Sequence, residues 1–209
     1  MTETAPPKSK LREVRLLLWA LVVLAIGGIA ALLLVQRVTV HPPQAVVPAA
    51  QSSFGGPFTL VGADGKPFSS ASLLGKPYLM YFGFTRCGDV CPTTLSRLVK
   101  LRDEVGGDNA FRIVFVTIDP AHDGPKDVGQ YARLFNAPII GLTGSQAQID
   151  QVKKQYGIFA QAVPNAPMGQ QMQHTATVLL FDSTGKFTGT ITPNEPDSDA
   201  LTSLKQLVG

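Results

Sequence analysis

The chain has 209 residues, of which 44% are hydrophobic, a formal charge of +3 and only two cysteines. Residues 1–37 hold five Lys/Arg against two Asp/Glu, while the remainder holds thirteen of each sign. The basic excess therefore belongs to the N-terminus, and it gives no reason to expect a nucleic-acid partner.

From the N-terminus, residues 1–15 carry Lys8, Lys10, Arg12 and Arg15 against Glu3 and Glu13. Leu16 to Val35 then runs for twenty apolar or small residues without a charge. At about 1.5 Å per residue this spans roughly 30 Å, the thickness of a bilayer's hydrocarbon core. A transmembrane anchor over residues 16–36 is expected, with the basic side in the cytoplasm and the C-terminal domain in the periplasm of a bacterial inner membrane. A cleaved signal peptide competes, but its apolar region would run about 7–15 residues. Val47-Pro48-Ala49 is a poor cleavage site, far beyond the apolar run. Residues 37–53 are rich in Pro, Ala and Ser and read as a linker.

Residues 54–209 have the length of one domain. Phe58-Thr59-Leu60 and Lys66-Pro67-Phe68 flank an Asp64-Gly65 turn, which predicts a hairpin. Tyr78 to Phe84 is a nearly continuous apolar run, the pattern of a strand buried on both faces. Pro92 to Val105 reads as a helix with Leu95, Leu98, Leu101 or Arg102, and Val105 inward, ended by Gly106-Gly107. Arg112 to Ile118 is a second buried strand stopped by Asp119-Pro120, followed by a helix over Lys126–Phe135 and a short strand over Ile139–Leu142. Ser145 to Tyr156 opens with a capping-box pattern and is read as a helix. Thr175–Phe181 and Phe187–Ile191 predict a second hairpin, and Ala200, Leu201, Leu204, Leu207 and Val208 a closing amphipathic helix. A βαβ core followed by a hairpin and a last helix indicates an α/β, thioredoxin-like fold with an N-terminal β-hairpin.

The cysteines, Cys87 and Cys91, stand between the first buried strand and the helix after it. With Cys91 in the first helical turn and Cys87 just before it, both sulfurs meet at a helix N-terminus, where the dipole and free N–H groups favour thiolate. Arg86 adds positive charge. Three residues lie between the cysteines, where thioredoxin-type oxidoreductases have two. Residues four apart on a helix have Cα atoms about 6 Å apart, near the upper end of the disulfide range. The pair can act as a Cu(I) ligand set, as a redox dithiol or as a structural disulfide. A two-thiolate copper site takes a third ligand, for which there are three histidines. His41 is in the linker. His122, after Asp119-Pro120, could approach the thiols. His174 closes the polar run Pro164–Gln173 and leads into a core strand.

These residues resemble the Sco/SenC family, the membrane-anchored, thioredoxin-fold copper proteins of cytochrome c oxidase assembly. The resemblance rests on Tyr81-Phe82-Gly83-Phe84-Thr85, on Cys87-x-Asp89-Val90-Cys91-Pro92, on Asp119-Pro120-x-x-Asp123 and on His174-Thr175 before Leu180-Phe181-Asp182-x-x-Gly185. It implies copper, as Cu(I) or Cu(II), held by Cys87, Cys91 and His174, and leaves His122 out. The chain departs from the family's pattern at Gly88, where Pro is usual, and at Arg86, where His is frequent. The implied function is that of a metallochaperone taking copper from a periplasmic donor to the binuclear copper (CuA) site of cytochrome c oxidase subunit II. The same cysteines suit a thiol–disulfide reductase, recharged by a thiol reductant, that keeps the acceptor's cysteines reduced. They also suit a redox or copper sensor. Met168 and Met172 are candidates to assist Cu(I) loading, Asp119 to support the site or dock a partner, and Asp89 to cap the helix or contact a partner.

Overall fold

The structure, a computed structural model, describes residues 18–25, 27–29, 54–168 and 171–209. Residues 18–25 and 27–29 are helical. Among the described residues no helix is long and apolar enough to cross a membrane. The rest of the expected anchor, the segment before it and the linker lie outside the described residues. The chain divides into two units, Met1–Gln51 and Ser52–Gly209. All that follows concerns the second.

Its centre is two strands whose sequence leaves them no solvent face. Strand β3 (Tyr78–Gly83) is buried at every position, and β4 (Arg112–Thr117) at all but the first. They pair in parallel, Tyr81 opposite Phe115 and Gly83 opposite Thr117. Each Leu, Val or Phe so buried contributes about 1.5–3 kcal/mol. The parallel pairing continues into β5 (Ile139–Thr143), with Phe115 opposite Gly141. β1 (Thr59–Gly62) and β2 (Pro67–Ser69) form the N-terminal hairpin, and β1 adds antiparallel to β5. On the other side, β8 (Val178–Phe181) pairs antiparallel with β3, and β9 (Phe187–Ile191) with β8. The sheet order is β2-β1-β5-β4-β3-β8-β9. A separate two-stranded sheet joins β6 (Ala160–Ala162) to β7 (Met172–His174).

Side chains on a strand alternate between faces, so Tyr81, Gly83, Phe115 and Gly141 share one face. Helices α1 (Val90–Glu104) and α2 (Pro125–Arg133) cover it. A Cβ on Gly141 would lie 2.7 Å from the Val128 carbonyl oxygen, so only glycine lets α2 sit this close to β5. Helix α4 (Asp197–Val208) packs against α1. On the opposite face, Phe82 and Phe181 meet Tyr156 at the end of α3 (Gln146–Gln155). Ser145 caps α3 through the reciprocal hydrogen bonds its sequence predicts. α1 buries Leu95, Leu98, Leu101 and Arg102 as expected.

One expectation needs correction. The predicted strand over Thr175–Phe181 forms only over its second half, and His174, expected at its start, ends a separate strand instead. β7 ends at His174 and pairs with β6, Ala160 opposite His174, while β8 begins at Val178. Residues 175–177 are not strand. The Thr175 amide donates to the Phe159 carbonyl and its hydroxyl accepts from the Phe159 amide, which ties this bend to the start of β6.

Candidate metal and redox site

The site lies where β3 gives way to α1. After Gly83 the chain turns, with the Cys87 amide donating to the Phe84 carbonyl at 3.2 Å. Cys91 follows in the first turn of α1. Cys91 is fully buried and Cys87 nearly so, and both are free thiols. The Cys91 amide, one of the free N–H groups of the helix N-terminus, donates to the Cys87 sulfur at 3.3 Å.

That geometry makes the thiols unequal. A hydrogen bond from Cys91 draws the Cys87 thiol far below its ordinary pKa. Burial opposes this, and His174 with the amides of Asp89 and Cys91 reinforces it. Cys91 is pushed up by the same interaction with Cys87 and by burial. Cys87 therefore ionises first. The sequence predicts a thiolate-promoting helix terminus for both sulfurs, but the Cys91 amide at that terminus goes to the sulfur outside the helix.

His174 comes to the thiols from β7. Its Nε2 stands 3.6 Å from Cys91 Sγ, and its Nδ1 lies 3.0 Å from the Thr175 carbonyl oxygen. A carbonyl can only accept, so Nδ1 is held toward Thr175 as a donor, and Nε2 is the nitrogen turned to the sulfur. Tyr81 and Phe84 meet the imidazole edge-on, with ring centres 6.2 and 6.0 Å away. The separation suits a shared metal: bonds of about 2.3 Å to sulfur and 2.0 Å to nitrogen at a trigonal angle put the two atoms about 3.7 Å apart. Among the described residues no three His, Cys, Asp or Glu side chains are disposed to hold a metal as they stand. Cys87 is engaged with the Cys91 amide, so closing three donors on one ion takes an adjustment of that side chain.

Around the donors, the loop is held by a carboxylate that sequence reading quoted only as part of a motif. Asp123 is fully buried. It accepts from the Thr85 amide at 2.9 Å, the Thr85 hydroxyl at 2.5 Å and the Thr117 hydroxyl at 2.6 Å. Its own carbonyl accepts from the Thr143 hydroxyl at 2.6 Å. One residue thus ties the dithiol loop to the ends of β4 and β5. Gly83 is equally specific, since a Cβ there would come within 2.9 Å of Cys91 Sγ.

Asp119 pairs with Arg86 at 2.6 Å and with His122 Nδ1 at 2.9 Å. Burial opposes its ionisation, but hydrogen bonds from His122 and Arg86 outweigh that and hold its pKa below the usual carboxylate value. His122 is thus oriented by Asp119, with its side chain 56% exposed. Asp89 makes no side-chain cap on α1. Met168 is 90% exposed, whereas Met172 packs against the core.

The sequence model of the SCO1/SenC family matches residues 47–209. Yeast (Saccharomyces cerevisiae) mitochondrial protein SCO2 is 32% identical over 160 residues, which is 75% of this chain and 53% of that protein. The chain thus spans about half the length of that relative. The copper-bound structure of Bradyrhizobium japonicum ScoI superposes with a TM-score of 0.66 at 34% identity, covering 74% of this chain and 99% of that one. BsSco, described as a member of the Sco family of cytochrome c oxidase assembly proteins and as having a disulfide switch, matches at 29% identity and a TM-score of 0.57, over 73% of this chain and 92% of that one.

Proposed function

The chain belongs to the SCO1/SenC family, and from that premise we propose that it is a membrane-anchored copper carrier serving cytochrome c oxidase assembly. The carrying observation is the His174 Nε2 at 3.6 Å from Cys91 Sγ, with Cys87 on the adjoining turn. Two thiolates with an imidazole are a ligand set suited to Cu(I), and the same three can hold Cu(II). Cys87, already inclined to ionise, offers the first thiolate; Cys91 loses its proton as the metal binds. The copper is cargo, received from a periplasmic donor and passed by ligand exchange to the CuA site of oxidase subunit II. The apolar run over residues 16–35 supports an anchor that confines the search to the plane of the membrane.

Anaerobic Cu(I) titration of the reduced full chain in detergent, beside His174→Ala and the oxidised protein, tests this. Stoichiometric binding that needs both thiols and weakens without His174 is expected, followed by transfer to a subunit II copper domain. Affinity indifferent to His174 would refute the three-ligand set.

A second reading, a thiol–disulfide reductase acting on the acceptor's cysteines, draws support from the unequal thiols. An ionised outer sulfur beside a buried protonated one is the arrangement of a dithiol reductant, with Cys87 attacking and Cys91 resolving. It needs no histidine, so His174→Ala separates the two activities.

A further inference from the structure

The site contains a buried hydrogen-bond donor that is not yet used. Tyr81 has no exposed surface, and its hydroxyl makes no hydrogen bond. Folded proteins leave few such groups, and each one calls for a reason. Tyr81 lies two residues before Gly83 on β3, so both face α1. A Cβ on Gly83 would touch Cys91 Sγ at 2.9 Å and Tyr81 Cε1 at 3.2 Å, so the sulfur and the phenol ring border one small gap. The same ring meets His174 edge-on. Tyr81 therefore lies against two of the three proposed ligands. Cys91 and Thr94 are the polar side chains that bear on its hydroxyl, without a hydrogen bond made to either.

We propose that Tyr81 is a positioning residue for the copper site, its phenolic O–H donating to the Cys91 sulfur once that sulfur is a metal-bound thiolate. The inference rests on Cys91 being a copper ligand. With the metal absent, the sulfur is a weak acceptor and the hydroxyl stays unpaired. With the metal bound, the sulfur carries charge, and the phenol ring already borders it, shielded from water. A hydrogen bond to a ligating sulfur withdraws electron density from it, which fixes its orientation and tunes the metal–sulfur bond. Burial and the neighbouring Cys91 both keep the phenol protonated, as a donor must be.

The test compares wild type, Tyr81→Phe, Thr94→Val and Cys91→Ala as full chains in detergent. Tyr81→Phe keeps the ring and removes only the donor, so the melting temperature of the metal-free protein is expected to stay level or rise. Cu(I) affinity, read by competition with a chromophoric chelator, should fall roughly ten- to a hundredfold. The sulfur-to-copper charge-transfer band of the Cu(II) form should move to longer wavelength, a change that a purely structural role would not produce. Thr94→Val, which removes the other acceptor, should leave band and affinity unchanged. An unshifted band with wild-type affinity in Tyr81→Phe overturns the proposal, as does a Thr94→Val variant that reproduces the loss. Wild-type affinity in Cys91→Ala would overturn the copper site itself, and the Tyr81 role with it.

Discussion

Replacing Asp123 with alanine should loosen the dithiol loop and destabilise the fold together, because one carboxylate does both jobs. Three donors lose their acceptor: the Thr117 hydroxyl at 2.6 Å, the Thr85 hydroxyl at 2.5 Å and the Thr85 amide at 2.9 Å. Thr117 is fully buried, so its orphaned hydroxyl costs about 1–3 kcal/mol. Thr85 is half-buried, and water can satisfy it in part, leaving about 1 kcal/mol for each of its two donors. The sum, roughly 3–5 kcal/mol, is a large share of the 5–15 kcal/mol typical of a domain. Asp123→Asn should cost much less, about 1–2 kcal/mol. Its amide oxygen can serve the Thr85 amide and the Thr117 hydroxyl, while its NH2 meets a Thr85 hydroxyl able to accept. Urea unfolding at constant slope measures both values, and the alkylation rate of Cys87 reports the loop. An alanine variant that loses under about 1 kcal/mol, or an asparagine variant as damaged as the alanine, would refute this account of the loop.

In Cys91→Ala, Cys87 loses the hydrogen bond that lowers its pKa most, so the pH profile of its alkylation should move upward; an unchanged profile would show that the thiols are not coupled. Gly83→Ala pushes a methyl to within 2.9 Å of Cys91 Sγ, and should cost about 1–3 kcal/mol in chemical unfolding and weaken copper binding by displacing the sulfur. Asp119 has a folded-state pKa below its unfolded one, so its stabilisation is full above the ordinary carboxylate value, near pH 4, and is lost as the pH falls through the folded value. Arg86→Met removes one of the donors responsible, and its acid-unfolding midpoint should lie at higher pH than that of wild type; an equal or lower midpoint would show that the ion pair contributes nothing.

The local patterns of this chain were readable without a structure because each follows from short-range chemistry. The apolar runs Tyr78–Phe84 and Arg112–Ile118 could only be strands buried on both faces. The Ser145-x-x-Gln148 pattern starts a helix by satisfying its own amides. The spacing of Cys87 and Cys91 placed one thiol before a helix and the other in its first turn. His174 was reached through family resemblance, since a histidine after a polar run carries no sign of what it will face. Its route to the thiols depends on β7 pairing with β6, two three-residue strands with hardly any periodicity to read, and on a bend at 175–177 held from Phe159. The roles of Asp123 and Tyr81 were hidden for the same reason. A carboxylate becomes a loop anchor, and a phenol a donor to sulfur, only when strands distant in sequence bring their partners within hydrogen-bonding reach. The sequence alone determined which segments would be buried and where the two thiols would meet. The tertiary structure decided which thiol ionises first and which imidazole nitrogen faces the other, because both depend on contacts that no local pattern encodes.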